Sequence, residues 1–190
     1  IYAGTEDGLF RGTDHGRNWR RVTGGLPDSA VTALALHPIT SGVLYAGSGD
    51  HGVFRSTDGG NTWSEFNTGL PDAYLLDISI ALTSPPTLYA SLLASTGCSV
   101  FKREDNGASW ELTGLIDVYA VRELVIDPAT PTTLYAATSD GVFRSENSGV
   151  SWEQTGLIEE WVESLAIDPI TPNTLYAGVY GDGGGVFKTT

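Results

Sequence analysis

Apolar residues in this chain fall in short runs, alternating or continuous over four to eight positions, and helix-period patterns of useful length are missing. Four runs are alike: "VTALALHP" (31–38), "LLDISIAL" (75–82), "VRELVIDP" (121–128) and "VESLAIDP" (162–169). A turn rich in Pro follows each and leads to a second kind of run, "LYA" or "IYA". A third kind is "GVFR" and its relatives, and a fourth begins at the Trp of "NTWSEF" (61–66), "ASWELT" (108–113) or "VSWEQT" (150–155). Runs of this length bounded by Gly, Pro, Asn and Asp predict β-strands, here named A, B, C and D in order.

The order repeats. Tyr2, Tyr45, Tyr89, Tyr135 and Tyr176 occupy equivalent places in strand B, at intervals of 43, 44, 46 and 41 residues. A period of about 40 to 45 residues built from four short strands is the mark of a β-propeller with one four-stranded antiparallel blade per repeat. The expected fold is therefore all-β, a single propeller domain or fragment over 1–190, with units near 1–30, 31–74, 75–120, 121–161 and 162–190. The count begins with B, C, D, passes through three full repeats and ends with A, B, C, about four and a half blades. Because both ends supply B and C, they do not complete one shared blade, and the expectation is an arc of a larger propeller. A ring with two incomplete blades, or closure through association with another chain, are the alternatives. The sequence contains no Met, so Ile1 is expected not to be a translational start.

Composition narrows the function. Ten basic against 23 acidic residues give a net charge of −13, which repels phosphate backbones and excludes the basic stripe that nucleic-acid binding needs. Arg11, Arg17, Arg20 and Arg21 form one local basic stretch, expected as a solvated edge. No apolar run approaches the roughly 18 residues of a membrane-spanning helix. The single Cys98 has no internal disulfide partner and reads as a small buried hydrophobe.

Between strands C and D lie "GTDHGRNW" (12–19), "STDGGNTW" (56–63), "REDNGASW" (103–110) and "SENSGVSW" (145–152). These resemble the Asp-box, or bacterial neuraminidase repeat, of pattern Ser-x-Asp-x-Gly-x-Thr-Trp. The resemblance covers essentially the whole chain in four in-phase copies. It implies turns built by Asp14, Gly16 and Trp19, by Asp58, Gly60 and Trp63, by Asp105, Gly107 and Trp110, and by Asn147, Gly149 and Trp152. The residue chemistry agrees, since a short carboxylate accepts turn N–H groups, Gly supplies positive φ and Trp fills apolar space. Gly12 and Arg103 replace the leading Ser, Asn18 the Thr and Asn147 the Asp; an Asn brings no carboxylate to a metal, so neither metal nor cofactor is expected. Families with this repeat include sialidases, xyloglucan-active glycoside hydrolases, sortilin-like receptors and secreted bacterial proteins. The phrasing "IDPATPTTLYA" is most similar to the last group and to the xyloglucanase relatives, while the sialidase arginine triad is not recognisable.

An antiparallel meander sends the D–A and B–C loops to one end of the blades and the A–B and C–D turns to the other. On the first end the D–A loops offer Asp28, Asp72, Tyr74, Asp117, Tyr119, Glu159 and Trp161, and the B–C loops add Asp50, His51, Asp140, Tyr180 and others. Aromatic faces beside carboxylates suit the apolar faces and hydroxyls of a sugar, and clustered acids also suit a cationic partner. The expected role is a non-catalytic binding or scaffold module for a glycan or protein, extracellular or periplasmic. Acids that cap turns and aromatics that cover blade junctions are the competing structural account. Strand A, nearest the axis, carries Asp77 and Glu123 at equivalent places in adjacent blades, the best available acid pair for glycoside hydrolysis. A third reading is a structural unit that self-associates, or gains blades, through unpaired terminal strands. His15, His37 and His51 show no metal or catalytic spacing, and "GDGGG" (181–185) lacks the helix and Lys of a phosphate loop.

Overall fold

The computed structural model describes residues 1–116, 118–181 and 183–189. They form five antiparallel sheets, each a meander in chain order. The first holds β1 (Tyr2–Thr5), β2 (Gly8–Thr13) and β3 (Asn18–Arg21), and the second β4 (Val31–Leu36), β5 (Leu44–Ser48), β6 (Gly52–Ser56) and β7 (Ser64–Glu65). The third holds β8 (Tyr74–Ala81), β9 (Thr87–Ala94), β10 (Gly97–Glu104) and β11 (Glu111–Leu112), and the fourth β12 (Val121–Ile126), β13 (Leu134–Thr138), β14 (Gly141–Ser145) and β15 (Glu153–Gly156). The fifth holds β16 (Trp161–Ile167), β17 (Leu175–Tyr180) and β18 (Gly185–Lys188). Strand A of each blade lies against strand A of the next, β4 on β8, β8 on β12 and β12 on β16, which is the inner edge of a β-propeller.

Burial explains why the strands read as they do. Strands β5 and β13 are buried along their whole length because neighbouring blades cover both faces, so "LYAGS" and "LYAAT" carry no charge. The core is accordingly divided among blade junctions. Leu9, Val31, Leu44, Phe54 and Trp63 fill the first, and Tyr45, Val53, Leu75, Leu88 and Trp110 the second. Tyr89, Val100, Val121 and Leu134 fill the third with Cys98, whose thiol burial pushes to a higher pKa. Tyr135, Val142, Val162 and Leu175 fill the fourth. Each blade thus buries its face only against its neighbours, as stacked repeats do. In the fifth blade Tyr176, Val186 and Phe187 are exposed where Tyr45, Val53 and Phe54 are buried.

Every strand A bears a bulge at one place: the register shifts between Val31 and Ala33, Leu75 and Asp77, Val121 and Glu123, and Val162 and Ser164. A bulge re-aims the side chain that follows it. In the third and fourth blades that side chain is an acid reaching the next blade, with Asp77 Oδ2 accepting the Leu124 N–H at 2.8 Å and Glu123 Oε2 the Leu165 N–H at 2.8 Å. Thr32 donates to the Leu75 carbonyl at 2.9 Å and Ser79 to that of Leu124 at 2.6 Å. Unpaired edge groups of the inner strands are satisfied in this way across blades.

The four C–D turns differ. In the second blade Asp58 Oδ1 accepts the N–H groups of Asn61 and Thr62 at 3.0 and 2.9 Å, and Oδ2 the Thr62 hydroxyl at 2.6 Å. The Thr62 hydroxyl and these N–H groups hold the Asp58 pKa down at about 2. Asn147 builds the fourth turn similarly, accepting the Ser151 N–H at 2.9 Å, while Ser56 and Ser145 hydroxyls accept the N–H groups of Gly60 and Gly149. The Trp63 and Trp152 indoles donate to those glycines' carbonyls at 3.2 Å. In the first turn Asp14 accepts from the Asn18 side chain, and Trp19, bonded to the Gly16 carbonyl, is 44% exposed rather than filling the core.

The third turn is reorganised. Arg103 replaces the Ser, so no hydroxyl receives the Gly107 N–H, which bonds the Glu104 carbonyl instead. The Arg103 guanidinium takes the Gly107 carbonyl at 2.8 and 3.1 Å, and the Trp110 indole turns to the Phe66 carbonyl at 2.6 Å. Gly107 has no positive φ, unlike Gly16, Gly60 and Gly149. Asp105 is released from its own turn and points into the preceding blade junction, where it accepts from the Tyr45 hydroxyl and pairs with Arg55 at 3.2 Å.

Candidate functional site

The end of the blades that carries the D–A and B–C loops gathers the sequence-predicted residues into separate groups. Trp161 opens β16 and Tyr180 closes β17, and the two are directly paired in the sheet. Their rings meet edge to face with centroids 6.1 Å apart, and Tyr119 from the preceding D–A loop meets Trp161 at 6.3 Å. Tyr119 is 70% and Tyr180 69% exposed. Sequence reading missed Arg122, the bulge residue of β12, whose guanidinium lies 5.3 Å from the Trp161 ring centroid and 3.9 Å from Glu163. Trp161 Nε1 is buried without a hydrogen-bond partner among the described residues. The three rings and Arg122 form a polarised aromatic row in which the cation braces the central ring.

A shallow recess of about 340 Å³ between the 93–97 hairpin and Tyr119 also includes Asp140. A second, of about 220 Å³, brings Asp50, His51 and Asp72 together beside Asn67. The remaining predicted residues stay apart. Asp28 pairs with Arg21, and Tyr74 lies over Gly49, where an added Cβ would come 2.5 Å from its ring. Glu159 is exposed at φ 65° in the turn closed by the Glu160 N–H and Leu157 carbonyl. Asp117 lies outside the described residues.

At the axis, the environment of Asp77 raises its pKa to about 6, chiefly by desolvation, opposed by the Leu124 and Ile78 N–H groups, with a further upward push from the Glu123 charge. Both axial carboxylates are engaged by main-chain N–H groups of the next blade, which anchors them. No cluster of three or more His, Cys, Asp or Glu suited to a metal occurs among the described residues. The loop end offers flat apolar faces flanked by acids, an arrangement able to stack on a sugar ring and accept its hydroxyls.

No known protein family matches the chain, and no curated protein is similar to it in sequence. Its structure is similar to that of a GH74 enzyme from Niastella koreensis (TM-score 0.80, 18% identity), covering 98% of this chain and 34% of that one. It is also similar to the GH74 xyloglucanase from Xanthomonas campestris (TM-score 0.74, 20% identity, 98% and 34% covered). The extracellular domain of a putative one-component system from B. thetaiotaomicron gives a TM-score of 0.70 at 21% identity, with 98% and 26% covered. These likenesses establish the β-propeller fold, and the chain spans about a quarter to a third of the length of these proteins. Among the described residues no helix is long and apolar enough to cross a membrane.

Proposed function

We propose that the chain is a binding module of an extracellular or periplasmic propeller, built on Asp-box turns, that engages a glycan through the row Tyr119, Trp161 and Tyr180. The observation that carries this reading is the continuity of the row: three aromatic rings from two successive blades, two of them largely exposed, stand side by side with a cation behind the middle one. Stacking on a pyranose needs an exposed ring face held rigidly, and hydroxyl recognition needs nearby acceptors such as Asp140 and Glu163. Protein binding at the same surface is the alternative occupant. Retention on immobilised xyloglucan or mixed β-glucan, abolished in Trp161→Ala, tests the proposal; equal mobility with and without polysaccharide contradicts it.

A second reading, hydrolysis of a β-glucan backbone, draws on the likeness to GH74 enzymes and on Asp77, whose pKa burial raises to about 6. A carboxyl held protonated to about pH 6 is the property of a general acid. Reducing ends released from xyloglucan and lost in Asp77→Asn favour this reading over binding alone.

A further inference from the structure

The tyrosine of each strand B faces a cation of strand C across the sheet: Tyr2 and Arg11, Tyr45 and Arg55, Tyr89 and Lys102, Tyr135 and Arg144, Tyr176 and Lys188. In three blades the pair has a partner. Tyr2 donates to the Gly59 carbonyl at 2.7 Å; Tyr45 and Arg55 both engage the Asp105 carboxylate; Arg144 contacts Tyr135 and the carboxylates of Glu146 and Glu153. At the second junction the chain itself thus shows what a Tyr hydroxyl and a strand C cation bind: a carboxylate from the next C–D turn.

The third blade has the same donors, but among the described residues no carboxylate bonds Tyr89 or pairs with Lys102, although Glu111 is the cross-strand neighbour of Lys102. The residue equivalent to Asp105 is Asn147, which is folded back onto its own turn through Ser145 and Ser151. Tyr89 is fully buried, and its hydroxyl makes no hydrogen bond of normal geometry among the described residues; burial pushes the phenol to a higher pKa, and the neighbouring Ser148 side chain opposes that push. Lys102 makes only a long contact, 3.4 Å, to the Ser148 carbonyl. Where Asp105 would have its counterpart there is a cleft of about 570 Å³, lined by Tyr89, Lys102, Ser148 and Thr87, with the exposed Glu104 and Glu111 at its sides. It opens between the A–B and C–D turns, at the opposite end of the blades from the aromatic row.

We propose that this cleft binds the carboxylate of a small hydroxylated acid, of the chemical class of a hexuronic acid, with Tyr89 and Lys102 as its donors. A volume of about 570 Å³ is ample for one monosaccharide unit. The hydroxyls of Thr87 and Ser148 and the carboxylates of Glu104 and Glu111 suit the ligand's hydroxyl groups, while those two acids and the net charge of −13 disfavour a polyanion. The ligand's carboxylate would accept from a hydroxyl that otherwise lacks a partner, and its charge would pair with the Lys102 ammonium, which supplies selectivity over a neutral sugar.

Calorimetric titration of the chain with glucuronate at low salt tests this, with glucose as the neutral control. Saturable binding of glucuronate, none of glucose, and a loss of about tenfold or more in both Tyr89→Phe and Lys102→Met are the expected results. Tyr89→Phe removes only an unpaired hydroxyl, so the variant is expected to fold, and its melting temperature verifies this. Absence of saturable glucuronate binding, equal affinity for glucose, or unchanged affinity in the two variants each overturns the proposal. Trp161→Ala leaves glucuronate binding intact, so failure here and failure of the aromatic-row reading are distinguishable.

Discussion

Asp77 Oδ2 accepts the main-chain N–H of Leu124 at 2.8 Å, binding the inner strand of one blade to that of the next. The bulge between Leu75 and Asp77 turns the carboxylate across the junction, and Glu123 repeats the arrangement one blade further on. Desolvation keeps the folded-state pKa of Asp77 near 6, against 3.8 for the free group, so between these values the folded state holds a proton that the unfolded chain releases. Stability therefore falls as pH rises through that window, by at most about 3 kcal/mol because the side chain keeps some contact with solvent. Asp77→Asn flattens the slope of melting temperature between pH 4 and pH 6, measured against the wild-type chain. An unchanged slope places the titration elsewhere.

The acid limb has the opposite sign. Asp58 has its pKa lowered to about 2 by the Thr62 hydroxyl and turn N–H groups, so its contribution is fully present above the unfolded value of 3.8 and is lost as pH falls through about 2. Asp58→Asn, which keeps an acceptor, reduces the dependence of unfolding on pH below 4, measured by circular dichroism.

The Asp105 carboxylate receives Tyr45 and Arg55, and His37 Nε2 lies 3.8 Å away while His37 Nδ1 accepts two N–H groups of its own turn. Asp105→Ala leaves the fully buried Tyr45 hydroxyl without an acceptor for its proton and the partly buried Arg55 guanidinium without a carboxylate, with only the Arg55 Nε–H to Tyr45 hydroxyl bond of 3.3 Å remaining. A loss of about 2 to 3 kcal/mol is expected in denaturant unfolding. Asn147→Ala, which removes only the exposed or half-buried turn bonds to Ser145 and Ser151, is expected to cost less, about 1 kcal/mol.

Gly69 sits at φ 92°, and a Cβ there would lie 2.4 Å from the Trp110 carbonyl oxygen, a backbone atom that cannot step aside. Gly69→Ala is therefore expected to destabilise by more than about 1 kcal/mol in thermal unfolding, through both strain and clash.

Strand order was legible because each strand carries its signal in adjacent residues: "VTALAL" and "LYAGS" are short, nearly continuous apolar runs because neighbouring blades cover them. That Tyr119, Trp161 and Tyr180 belong to one end of the blades followed from the antiparallel meander, whereas their ring contacts are visible only in the structure. What adjacent residues do not encode is a bond across a junction. Tyr45 and Asp105 are 60 positions apart, and their contact depends on Arg103 having displaced the usual turn. The engagement of Asp77 depends on a bulge, which shifts register without altering the apolar pattern. One signal was available: the Tyr of strand B and the Arg or Lys of strand C stay in phase in all five repeats, and their cross-strand pairing leads directly to the cleft beside Tyr89.

The most direct test of the binding account is an equilibrium titration with a xyloglucan oligosaccharide, reading Trp fluorescence, on the chain and on Tyr119→Ala/Tyr180→Ala. Both tyrosines are largely exposed, so the double variant is expected to keep its melting temperature. Saturable binding to the chain, weakened about tenfold or more in the variant, is the predicted result. Binding of equal strength in both, or no binding by the chain, contradicts the assignment of the aromatic row as a glycan surface.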